Sequence, residues 1–169
     1  MTIPERFEYL SKLLDSLNEQ LSSVGADALC VNIICNRKTS KTGLMTLKKI
    51  ANNYESLKIK VYMNEDNPTI SGGRQFALTC ALTPLLAFID DDCTLHGNVF
   101  AEVEKTLMNK TVAFAGLPSY QEDTDELFKP RSNTPSRKID GLLYMAIQGM
   151  LVAGFTSIFI MLGGFILRS

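Results

Sequence analysis

The sequence predicts a layered α/β fold with a mostly parallel sheet, and three observations carry that prediction. Short apolar, β-branched runs alternate with stretches whose apolar residues recur every three or four positions, the strand and helix periods. Strands and helices interleaved at this spacing are the pattern of βαβ units, whose crossovers cover a parallel sheet with helices. The chain has 169 residues, 46% hydrophobic and 21% charged. That is enough for one core, and it lies outside the disordered, collagen-like and disulfide-dense classes.

The elements follow in order. Phe7, Leu10, Leu14, Leu17 and Leu21 form one helical stripe after Pro4, and Gly25 ends it. Residues 28–35 are short and apolar, which suits a strand buried on both faces. A polar loop is expected over 36–43, then a helix on Leu44, Leu47, Ile50 and Tyr54, a strand over 57–63 and a turn-rich stretch over 64–71. Gly72, Gly73 and Arg74 lead into a helix carrying Phe76, Ala77, Cys80 and Ala81, which Pro84 stops. A strand over 85–89 runs directly into Asp90, Asp91 and Asp92. Val99, Val103 and Leu107 mark a fourth helix, and residues 111–115 a fourth strand. The polar segment 119–138, with Pro130 and Pro135, reads as a mobile loop.

Charge and cysteine content narrow the function classes. Seventeen basic against eighteen acidic residues leave no global field to collect phosphates, so nucleic acid is not an expected partner. Cys30, Cys35, Cys80 and Cys93 form no C-x-x-C pair, and no secretory signal opens the chain. Reduced thiols in a cytosolic compartment are expected.

In open α/β sheets, ligands bind at the carboxyl ends of the strands. Three adjacent carboxylates at such an end repel one another, and a hard divalent cation with phosphate oxygens relieves that repulsion. Asp90, Asp91 and Asp92 therefore point to Mg²⁺ or Mn²⁺, with a solvated acidic loop as the plain alternative.

Three segments also resemble family 2 glycosyltransferases. Residues 2–20 resemble that family's opening turn and first helix, Gly72-Gly-Arg-Gln-Phe-Ala77 its Gly-x-x-x-Ala-Arg-Asn segment, and Leu86-Ala-Phe-Ile-Asp-Asp-Asp92 its strand ending in a DxD motif. Their order and spacing carry the resemblance, which covers residues 2–115. It implies a Rossmann-like GT-A fold and transfer of a sugar from a nucleotide diphosphate donor to a glycan, lipid or protein acceptor. It also implies metal on Asp90 and Asp92, with Arg74, Asp90 and Asp91 contacting the nucleotide sugar. The plain alternative for Arg74 is a helix arginine paired with an acid. On this reading, residues 1–118 form the nucleotide-sugar part of a single domain, followed by the loop 119–139 and an apolar segment 140–169.

The sequence also departs from the family pattern. The family's first strand should precede Thr2. The strand ending at Cys35 continues as Asn36-Arg-Lys-Thr39, without the expected carboxylate. Asp123, in Glu122-Asp-Thr-Asp-Glu126, is a candidate base for the acceptor hydroxyl. It precedes the Gly163-Gly-Phe-Ile-Leu-Arg168 segment, whereas the family order is the reverse, so a solvated loop is its alternative, and the resemblance then implies a chain incomplete at both ends with its base beyond Ser169. His96 is the single histidine, read as a surface residue at a helix start or a neighbour of the metal. Lys129, Arg131, Arg137 and Lys138 could close over a diphosphate, touch anionic lipid, or remain solvated.

Residues 141–167 contain no charge and are long enough to cross a bilayer, which needs about 20 apolar residues. The competing reading is a buried helix on Leu143, Ile147, Met150 and Leu151 followed by a core strand over 157–162. Two rival functions stand beside the glycosyltransferase: another metal-dependent α/β nucleotidyl- or phosphotransferase, and a truncated or degenerate non-catalytic domain, with or without attachment to a membrane.

Overall fold

The computed structural model describes residues 2–25, 27–109, 114–116 and 151–155. A 3₁₀ turn (Pro4–Arg6) leads into α1 (Phe7–Val24). Then come β1 (Cys30–Cys35), α2 (Lys41–Asn52), β2 (Lys58–Met63), α3 (Ile70–Thr79), β3 (Leu85–Ile89), α4 (Val99–Leu107), β4 (Phe114–Gly116) and β5 (Leu151–Phe155).

β1 and β2 pair in parallel over their whole lengths, Cys30 opposite Lys58 and Cys35 opposite Met63. This is the βαβ unit that the alternation predicts, with α2 as the crossover. The other sheet has the order β3-β5-β4, and β5 runs antiparallel to both neighbours. β3 and β4 therefore share one direction, as successive βα units require, and the reversed strand lies between them.

β5 falls inside the uncharged run 141–167. Leu151, expected on a helix, begins this strand, whose backbone pairs on both edges. For five residues of the run, a strand in the sheet thus takes the place of a helix or a span. The remainder of the run, the loop 119–139 and the expected strand over 157–162 lie outside the described residues. Among the described residues, no helix is long and apolar enough to cross a membrane.

α1 and α4 have no side-chain cap and begin at the apolar Phe7 and Val99, whereas the starts of α2 and α3 follow local capping. The Ser40 side chain accepts from Gly43 N–H at 3.0 Å, so α2 begins at Lys41 inside the expected loop. Thr69 accepts from Gly72 N–H at 2.9 Å and starts α3 at Ile70, ahead of the glycine pair. α1 ends at Gly25, whose φ of 93° suits a residue without Cβ.

The core lies on both faces of β1. Leu10, Leu13, Leu14 and Leu17 of α1 pack in one cluster with Ile33 and Cys35 of β1, Leu47 of α2, and Val103 and Leu107 of α4. Ile34 points the other way and joins Ala77, Leu78 and Phe88 in a second cluster under α3. This two-sided burial is why residues 30–35 read as a continuous apolar run rather than an alternating one. None of the four cysteines is in a disulfide.

A cavity of about 530 Å³ separates the two sheets. Every residue over 30–34 and 85–89 contributes to its wall. Successive strand residues face opposite sides, so the cavity runs along the strand edges instead of on one face. At its end Thr2 forms a parallel bridge with Cys35: its N–H donates to the Ile34 carbonyl at 2.9 Å, and its carbonyl accepts from Asn36 N–H at 2.9 Å.

Candidate functional site

β3 delivers Asp90, Asp91 and Asp92 into a turn closed by Cys93 N–H donating to the Asp90 carbonyl at 3.3 Å. The turn sends the three carboxylates into different surroundings. Asp90 and Asp92 are half exposed, whereas the Asp91 side chain is only 3% exposed. The repulsion among them is relieved by two arginines from separate elements. Arg74, on α3, places Nη2 3.6 Å from Asp90 Oδ1. Arg6, the last residue of the 3₁₀ turn, places Nη2 3.1 Å from Asp91 Oδ1 and also contacts Asp92 Oδ2. Three carboxylates and two guanidiniums leave one formal negative charge.

Burial raises the pKa of the Asp91 carboxyl; the Thr2 hydroxyl and Arg6 favour the ionised form and offset this only in part. Its Oδ2 is buried with no hydrogen-bond partner. The Cys93 thiol is pushed up to about 12, first by burial and then by the neighbouring carboxylates, which makes it an inert packing residue and not a nucleophile.

A polar network braces the site from the β1 and β2 side. Asn36 is buried, and its Nδ2 donates to the Thr69 carbonyl at 2.7 Å. Asn64 Nδ2 contacts Asn36 Oδ1 at 2.5 Å and the Asn67 carbonyl at 2.7 Å. This network ties the carboxyl ends of β1 and β2 to the start of α3, the helix that carries Arg74. A Cβ on Gly72 would come within 2.4 Å of the Asn67 carbonyl oxygen and Cγ, so the loop and helix can meet only at a glycine.

The structure therefore brings together Asp90, Asp91, Asp92 and Arg74, as the sequence predicts. It sets His96 apart: the ring is exposed, with Nε2 3.3 Å from the Thr94 hydroxyl. Asp123, Lys129, Arg131, Arg137 and Lys138 lie outside the described residues. Asn36, which follows β1 where the family resemblance implies a carboxylate, is a buried brace. Sequence reading missed Arg6 altogether, because nothing in a lone arginine before a helix indicates that the chain returns 85 residues later to meet it.

Among the described residues, no group of three or more His, Cys, Asp or Glu side chains forms a metal cage. Two half-exposed carboxylates still suit a Mg²⁺-like ion, which is commonly held by one or two carboxylates plus substrate phosphates. The unpartnered Asp91 Oδ2 shows acceptor capacity left over beside them. Among known proteins, the family model for glycosyl transferase family 2 matches residues 2–163. No curated protein and no solved structure matches the chain.

Proposed function

Given that the chain belongs to glycosyl transferase family 2, a family of Rossmann-like GT-A domains, we propose that the carboxyl end of β3 is its donor site. On this reading the site takes a nucleotide-diphospho-sugar, with Asp90 and Asp92 holding Mn²⁺ or Mg²⁺. The carrying observation is the outward pair of carboxylates at that strand end, with Arg74 beside Asp90. When bound, such a cation stabilises the negative charge that develops on the departing nucleotide diphosphate.

The chain's own residues orient the donor. Arg74 presents a guanidinium able to contact phosphate oxygens, and the network of Asn36, Asn64 and Asn67 keeps the α3 start in register with the strand ends. Asp91 anchors the turn from below, a more internal role than contact with the sugar. Asp123 is the sequence-level candidate for the base that takes the acceptor proton.

Thermal melts with Mn²⁺ and a panel of UDP, GDP and dTDP sugars test the reading. One donor at about 100 times its dissociation constant should add about 2.7 kcal/mol, a rise of roughly 5–10 °C for a domain of this size. Asp92→Ala should abolish the Mn²⁺-dependent part of that rise. No shift with any donor, or an unchanged Asp92→Ala response, would overturn it. That result would favour the competing view that Arg6 and Arg74 merely neutralise a structural acidic turn.

A further inference from the structure

Arg6 touches two carboxylates of very different exposure. Asp91 is buried, so stripping it of its guanidinium would strand an uncompensated charge, a costly change. Asp92 is 48% exposed, and an ion pair of that kind is weak and readily exchanged. Arg6 itself is 36% exposed and lies with its guanidinium carbon 6.0 Å from the centre of the Tyr9 ring. The backbone beneath it is fixed by the Thr2 bridge to β1, so the guanidinium is held at the strand ends.

We propose that Arg6 is the resident counter-ion of the donor site: a divalent cation takes Asp92 from it, while Asp91 keeps Arg6 in place to bind the donor's diphosphate. This rests on the donor-site reading above. A guanidinium offers five N–H donors in a planar fork. Both contacts are made by one nitrogen, Nη2, which stays on Asp91 when Asp92 is taken, while the other N–H groups of this partly exposed fork serve the diphosphate. In the cation-free protein Arg6 occupies the carboxylate that the cation needs. In the loaded protein it adds a second positive charge beside Arg74, where two phosphates arrive.

The inference predicts changes of opposite sign, which a merely structural arginine would not give. In Arg6→Gln, Mn²⁺ alone should bind roughly three- to tenfold tighter because its competitor is gone, whereas UDP in the presence of Mn²⁺ should bind roughly three- to tenfold more weakly. Arg6→Lys retains the charge but not the fork, so Mn²⁺ affinity should stay near wild type while UDP binding weakens. Titration calorimetry reads both affinities, and circular dichroism verifies that each variant is folded; if Arg6→Gln does not fold, Arg6→Lys carries the test through its UDP affinity. Unchanged or weaker Mn²⁺ binding by folded Arg6→Gln, or undiminished UDP binding by either variant, overturns the proposal. If wild type binds Mn²⁺ and Asp92→Asn does not, that failure belongs to Arg6 alone. If wild type binds neither Mn²⁺ nor UDP, the donor-site reading falls and this inference falls with it.

Discussion

Asp91 and Asp92 are chemically identical neighbours, yet in the turn after β3 one is buried on Arg6 and the other reaches solvent. The family resemblance singles out Asp90 and Asp92, the two that reach solvent; that Arg6 meets Asp91 and Asp92 has no local signal. Gly72 shows the same limit. Its resemblance to a family glycine was visible, but the reason is its approach to Asn67, and Gly72→Ala should destabilise the fold by about 1–3 kcal/mol in urea denaturation, the usual cost of overpacking. Tyr54 offers a pH test at this scale. Its hydroxyl lies 2.9 Å from Asp15 Oδ1 and 3.0 Å from the Ser11 carbonyl. Burial first, then Asp15, raises its pKa to about 12 from the ordinary 10.0. The folded state holds this proton more tightly than the unfolded state. The stabilisation is therefore complete below pH 10 and is lost as the pH climbs towards 12. The melting temperature of wild type should fall more steeply across that window than that of Tyr54→Phe.

Elements were legible where periodicity is strong and less so where capping decides. The leucine stripe of α1 and the apolar run of β1 appear as expected, since both periods record which faces are buried. The starts of α2 and α3 moved because a Ser40 or Thr69 oxygen satisfies an otherwise orphaned N–H, letting the helix begin before its apolar face does. Ser40→Ala should cost about 1 kcal/mol. Thr69→Ala should cost at least as much, because its hydroxyl also lies 2.9 Å from Asn67 Oδ1. Chemical denaturation of the two variants checks both values. Leu47 of α2 is fully buried in the cluster that it shares with α1 and β1, and Leu47→Ala should lose about 2–5 kcal/mol by the same measurement.

Across the whole molecule, α1 joins the two sheets: its leucines share one cluster with β1, α2 and α4, and Gln20 Nε2 donates to the Gly97 carbonyl at 2.7 Å in the segment after the acidic turn. Thr2 adds the backbone link beside β1. Thr2→Pro removes the N–H that bonds to Ile34 and should both lower the unfolding midpoint and loosen Arg6, read as weaker UDP binding with Mn²⁺ present. The sequence by itself determined the α/β class, the parallel β1-β2 unit and the position of the acidic triplet at a strand end. These depend on local period and on residues adjacent in the chain. Only the tertiary structure decided that β5 enters between β3 and β4 and that Arg6 and Arg74 converge on the carboxylates. It alone decided that the Asn36 network ties β1, β2 and α3 together. Strand order and long-range ion pairs depend on which distant segments meet, and no local pattern of hydrophobicity or charge encodes that meeting.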